Sequence, residues 1–135
     1  MKTVLTRRSL LALGVAAISL AGLPATAQDD YPSKPVTLVV AYAAGGGTDA
    51  IARGFAAQFE KELDGRALVD NRPGAAGNMG TEVVAKADPD GYTLLIGNQG
   101  PMVVNPHIFK MRHDPAEALD PIAMIADAQL VVVVG

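Results

Sequence analysis

The sequence predicts an α/β chain organised on a parallel sheet, and three observations carry that expectation. Short runs rich in aliphatic residues recur at Val36–Val40, Arg66–Asp70 and Tyr92–Gly97. Each run is followed by a glycine-rich loop, and a segment with helical spacing follows each loop. The runs are apolar on both faces, "VTLVV" most clearly, as expected of strands covered by helices on both sides of a sheet.

The first 27 residues are expected to be an export signal and not part of this fold. Lys2, Arg7 and Arg8 precede an apolar stretch from Leu10 to Leu23, and Ala25-Thr26-Ala27 closes it as a small-residue cleavage site. The stretch is shorter than the roughly 20 residues of a spanning helix. "TRRSLL" fits both the twin-arginine route and an ordinary secretory n-region, and either places the mature protein in the periplasm. The leader carries three positive and no negative charges, so removing it takes the net charge from −3 to −6 and makes nucleic acid and anionic membrane poor partners. The absence of cysteine is compatible with a periplasmic protein whose core needs no disulfide.

After the extended "YPSKP", Val36–Val40 reads as strand one. Beyond "AAGGGTD", Ile51, Phe55, Phe59 and Leu63 recur every four residues with Arg53, Glu60, Lys61 and Glu62 largely between them, which predicts an amphipathic helix. Thr48 or Asp49 is expected to cap its start and Gly65 to end it. "RALVD" reads as strand two and "NRPGAAGNMG" as the second loop, followed by a short helix over Thr81–Ala87 capped by Thr81. "DPDG" is a turn, "YTLLIG" strand three and "NQGP" the third loop, with a helical stretch near Val103–Lys110. "PIAMIADAQLVVVVG" reads as two further strands. The run Val131–Val134 would be aggregation-prone as a free edge, so the chain is expected to be a fragment that continues beyond Gly135.

All three loops leave the carboxyl ends of strands, where open α/β sheets bind ligands, so "AAGGGTD", "PGAAGN" and "GNQG" are expected to converge on one site. Common enzyme signatures fail. "GGGTD" lacks the Lys-Ser/Thr of a phosphate-binding P-loop. Ala50 stands where the third glycine of a dinucleotide fingerprint falls, a replacement that position tolerates, so a dinucleotide site survives as a minor alternative that export disfavours. No G-x-S-x-G elbow exists, and Ser33 is the one serine after the leader. His107 and His113 are six apart, off a common helix face, and no acidic or cysteine set completes a metal site. What the glycine turns can do is present backbone N–H groups at a helix N-terminus to a carboxylate or phosphate. Asp49 is expected to act as a helix cap or as a ligand contact. Arg53 could pair with Asp49 or face solvent, and neither it nor Arg72 is assigned a ligand.

"YPSKPVTLVV", "AAGGGTDAIAR", "NRPGAAGNMG", "VAKADPDGYTLLIGN" and "NPHIF", in order behind an export signal, closely resemble the substrate-binding proteins of tripartite tricarboxylate transporters, the Bug-type receptors. The resemblance implies a type II periplasmic-binding-protein-like fold, two α/β lobes closing on a small di- or tricarboxylate. Residues 28–125 would form the N-terminal lobe and 126–135 the start of the crossover, with the second lobe mostly missing. The ligand would be held by backbone groups and bridging waters from three loops. The first comprises Tyr42, Ala43, Gly45, Gly46, Gly47, Thr48 and Asp49, with Tyr42 flanking the ligand and Thr48 offering its hydroxyl. The second comprises Gly74, Ala75, Ala76, Gly77 and Asn78, and the third Gly97, Asn98, Gln99 and Gly100. Ala41 replaces a proline common in the family, and Ala76 a glycine. The resemblance also implies no catalysis, cofactor or metal, membrane transporter subunits as partners, and a monomer at full length. The alternative is an exported α/β enzyme that uses the same backbone donors as an oxyanion site, with its acid and base in the missing C-terminal part.

Overall fold

A computed structural model describes residues 31–128 and 131–134. The expected leader, residues 1–27, lies outside them. Among the described residues no helix is long and apolar enough to cross a membrane.

Three strands form one parallel sheet: β1 (Val36–Val40), β2 (Ala67–Asn71) and β3 (Thr93–Ile96), in the order β2-β1-β3. Val36 to Val40 stand opposite Ala67 to Asn71 on one side, and Thr37 to Val40 opposite Thr93 to Ile96 on the other. β1 is therefore central, and its near-continuous β-branched run is the signature of a strand covered on both faces. Val36, Leu38 and Val40 form the core with Ala52 and Ala56 of helix α1 (Gly47–Leu63). The alternate residues Val39 and Ala41 are equally buried, with Ala41 meeting helix α2 (Asn78–Ala85). Full burial of each such Val or Leu is worth about 1.5–3 kcal/mol, which makes β1 the stabilising centre of the fold.

The helices differ in detail from the sequence expectation. The most buried line of α1 is Asp49, Ala52 and Ala56, while Phe55 and Phe59 pack partly buried beside it and Leu63 is exposed. Small residues let the helix axis approach the sheet, so the large i,i+4 side chains flank the contact instead of centring it. Neither Thr48 nor Asp49 caps α1. Gly46 is its N-cap, without a side-chain bond. At the other end Asp64, not Gly65, takes the left-handed conformation (φ 48°). Gly65 is required because any Cβ there would collide with the Pro32 ring.

Helix α2 begins at Asn78, three residues before the expected start, because Gly77 (φ 95°) reverses the chain there. Thr81 lies inside the helix, and its hydroxyl donates back to Gly77 O at 3.0 Å. Gly80 sits where α2 crosses the end of β1, and a Cβ there would lie 2.7 Å from Ala41 Cα.

The third helical stretch starts earlier than expected and is irregular: a π-helical turn over Gly100–Val104, then a 3₁₀ turn over Asn105–His107. Prolines at 101 and 106 cannot donate to an α-helical ladder, and Asn105 N–H bonds instead to Gly100 O, five residues back. A further short helix, α3 (Pro115–Ala118), is capped by Asp114, whose Oδ1 accepts from Ala116 N at 3.0 Å. The two strands expected in "PIAMIADAQLVVVVG" do not appear among the described residues: 121–128 and 131–134 have no strand pairing. A strand requires a neighbour for its N–H and C=O groups, and Val131–Val134 are instead 80–97% exposed.

Candidate ligand-binding site

The connection from β1 leads to β2 on one side, and β3 lies on the other, so the chain reverses its direction of travel across the sheet at β1. The crevice outside the carboxyl ends of β1 and β3 is the switch point of this sheet. Tyr42, just after β1, donates its hydroxyl hydrogen across that crevice to Asn98 Oδ1, just after β3, at 3.0 Å. The same oxygen accepts from Gly100 N at 3.0 Å. Two donors on one oxygen fix the carboxamide's orientation and turn Asn98 Nδ2 the other way. The second loop reaches the same point, since a Cβ on Gly77 would lie 3.1 Å from both the Tyr42 hydroxyl and Pro101 Cγ.

The first loop is held by Asp49. This carboxylate is buried, yet all its partners are in place: Oδ2 accepts from Gly45 N and Arg53 Nε, each at 2.9 Å, and Oδ1 accepts from Arg53 Nη2 and Asn71 Nδ2, each at 3.0 Å. Asn71 Nδ2 also bonds Tyr42 O at 3.1 Å, tying the end of β2 to the end of β1. The Arg53 guanidinium, then the Gly45 N–H and the Asn71 amide, hold the Asp49 carboxyl well below the usual carboxylate range. Of the two roles expected for Asp49, the structure selects a loop clamp, with the carboxylate engaged by the protein itself. Because no side chain caps α1, the N–H groups of its first turn, Gly47, Thr48 and Asp49, retain the orphan-donor character of a helix start beside the exposed Gly45–Gly47 turn.

The second loop is strained. Gly74, Ala75, Ala76 and Gly77 all have positive φ, at 139°, 47°, 56° and 95°. For the two alanines such a conformation costs on the order of 1–3 kcal/mol each and persists only where the surroundings enforce it. Gly77 N bonds Gly74 O at 3.0 Å and Asn78 N bonds Ala75 O, so the Ala75 and Ala76 N–H groups are the first donors of this turn, without a partner among the described residues.

Among the residues singled out by sequence, Tyr42, Gly77, Asn98 and Gly100 meet directly. Ala43, Gly45, Gly46, Gly47, Ala75, Ala76, Gly97 and Gln99 are exposed on the three loops around them, while Thr48, Gly74 and Asn78 are half-buried. Sequence reading missed Asn71 and Asn105, which act on loops from distant positions, and Gly80, which admits α2 against Ala41. Arg72 pairs with Asp70 at 2.8 Å. His113 Nδ1 lies 3.0 Å from Glu82 Oε2, and Lys86 Nζ 2.7 Å from Glu82 Oε1; together Lys86 first and His113 second hold the Glu82 carboxyl well below its usual range. Among the described residues no group of three His, Cys, Asp or Glu side chains converges as a metal site would require. A cavity of about 760 Å³ flanks the open edge of β3 and touches Gly97, Asn98 and Gln99 of the third loop, but neither of the other loops.

A family model described as the tripartite tricarboxylate transporter family receptor matches residues 51–135. A UPF0065 protein of Bordetella bronchiseptica is 38% identical over 132 residues, 97% of this chain and 38% of that protein. Protein BugT of Bordetella pertussis is 36% identical over 129 residues, 93% of this chain and 39% of its own length. The chain thus spans about two fifths of the length of these relatives. Among solved structures, a periplasmic transporter shares 41% identity at a TM-score of 0.60, over 63% of this chain and 29% of that one. MatC from Rhodopseudomonas palustris with bound malate shares 37% at 0.60, with the same coverage. A second R. palustris protein, with adipate, shares 39% at 0.57, over 64% and 29%.

Proposed function

Because the chain belongs to the tripartite tricarboxylate transporter receptor family, we propose that it binds a small organic di- or tricarboxylate in the periplasm and delivers it to the membrane subunits of such a transporter. The observation that carries this reading is the meeting of three strand-end loops at Tyr42, beside the uncapped first turn of α1. Backbone N–H groups there suit a carboxylate without a cationic side chain, as a chain of net charge −6 after loss of its leader requires. Malate and adipate bound to structural relatives support the ligand class. On this reading residues 28–125 form one wall of the cleft and 126–135 lead toward the other.

Calorimetric titration of the full-length protein, with both walls of the cleft, against malate, adipate, succinate and citrate tests the proposal. Saturable binding of at least one is expected, and binding of none would overturn it. Turnover of esters or phosphoesters by the same protein would replace a receptor with an exported enzyme.

A further inference from the structure

Four consecutive positive-φ residues, two of them alanines, form the second loop, and the turn's own bonds, Gly77 N to Gly74 O and Asn78 N to Ala75 O, do not engage Ala76 O. That carbonyl is held from 29 residues away. Asn105 is buried, and its Nδ2 donates to Ala76 O at 2.9 Å and to Asn78 Oδ1 at 2.6 Å, so both amide hydrogens are committed to the second loop. Its main-chain N–H is committed to the third, bonding Gly100 O, and its carbonyl accepts from Ile108 N and Phe109 N of the following turn at 3.0 and 2.8 Å. The side chain is thus anchored on a rigid turn and reaches across to the one loop whose backbone is unfavourable when isolated.

We propose that Asn105 is a positioning residue for the ligand: its carboxamide clamps Ala75 and Ala76 in the left-handed conformation and thereby keeps their N–H groups available at the strand-end cleft. This inference rests on the carboxylate-receptor reading. The role needs an amide. A carboxylate at this position would oppose Ala76 O and Asn78 Oδ1 with a third oxygen, and an apolar side chain would leave both acceptors unpaired.

The test compares Asn105→Ala with the triple variant Asn105→Ala, Ala75→Gly, Ala76→Gly in the full chain. Glycine adopts positive φ without a Cβ penalty, so it supplies by local freedom what the clamp supplies by hydrogen bonding. In the ligand-free protein, Asn105→Ala should move the Cα and Cβ chemical shifts of Ala75 and Ala76 out of the left-handed range. It should also weaken binding of the best carboxylate in the malate, adipate, succinate and citrate panel by about five- to tenfold, and the glycines should recover most of that loss. Unchanged alanine shifts in Asn105→Ala, or a loss of affinity the glycines do not recover, would overturn the proposal. Asn105→Ser, which retains one donor, is judged by the same shifts if the alanine variant does not fold. Should the unmodified protein bind no member of the panel, the receptor reading falls while the chemical shifts still decide whether Asn105 clamps the loop.

Discussion

Tyr42 and Asn98 stand 56 residues apart and share one hydrogen bond, which joins the loops after β1 and β3. Removing the hydroxyl with Tyr42→Phe leaves Asn98 Oδ1 held by Gly100 N alone and unlinks the two loops while leaving the ring in place. Carboxylate affinity should fall by roughly two- to tenfold, the equivalent of one hydrogen bond, with little change in melting temperature because the bond is exposed. Titration and thermal melting separate the two effects. Asp49 makes a different prediction because its four hydrogen bonds favour the ionised form. In the unfolded chain this carboxyl protonates near its ordinary value of 3.8, whereas in the fold it resists protonation to far lower pH. The unfolded state therefore binds the extra proton, and the clamp's contribution is complete above about pH 5 and fades as pH falls through and below 4. Melting temperatures of the unmodified protein and Asp49→Asn should differ most near neutrality and converge in acid.

At the level of elements, the close crossing of α2 over β1 decides the shape of the cleft floor. Gly80 permits that crossing, with Ala41 Cα and Arg72 O both within 3.1 Å of where a Cβ would stand. Backbone cannot yield as a flexible side chain would, so Gly80→Ala should destabilise the protein by about 1–3 kcal/mol, against the usual gain from replacing a mid-helix glycine. A denaturant titration reads this directly, and a midpoint unchanged or raised would contradict the packing. The same crossing explains why α2 starts at Asn78. Gly77 turns the chain and Gly80 admits it against the sheet, whereas Thr81, the cap expected from composition, serves as a buried internal bond to Gly77 O.

For the molecule as a whole, the sheet ends at β3, whose outer edge has no strand neighbour among the described residues, and the most exposed apolar run is Val131–Val134. Four adjacent exposed β-branched side chains of no charge are a template for edge-to-edge pairing. Replacing Val132 and Val134 with lysine should lower concentration-dependent light scattering of the 135-residue chain without shifting its melting temperature, since neither residue contacts the core. Equal scattering before and after the change would place the source of association elsewhere.

Residue order alone was enough for the alternation of strand, glycine loop and helix, for β1 to the residue, and for the three loops as neighbours, because hydrophobic period and turn chemistry are local properties of the chain. The i,i+4 spacing of Asp49 and Arg53 made their pairing one of two readable options. The folded chain was needed for everything that depends on which distant groups meet. Asn71 reaches Tyr42 O and Asp49, Asn105 reaches Ala76 O, and small Ala52 and Ala56 displace Phe55 and Phe59 from the centre of the helix contact. A buried amide leaves no periodic trace in a sequence, since its value lies in two acceptors brought within 3 Å by closure of the fold. For the same reason "PIAMIADAQLVVVVG" has the composition of strands, yet its described residues, 121–128 and 131–134, are not paired as one: propensity belongs to the residue, but a strand belongs to the sheet that accepts it.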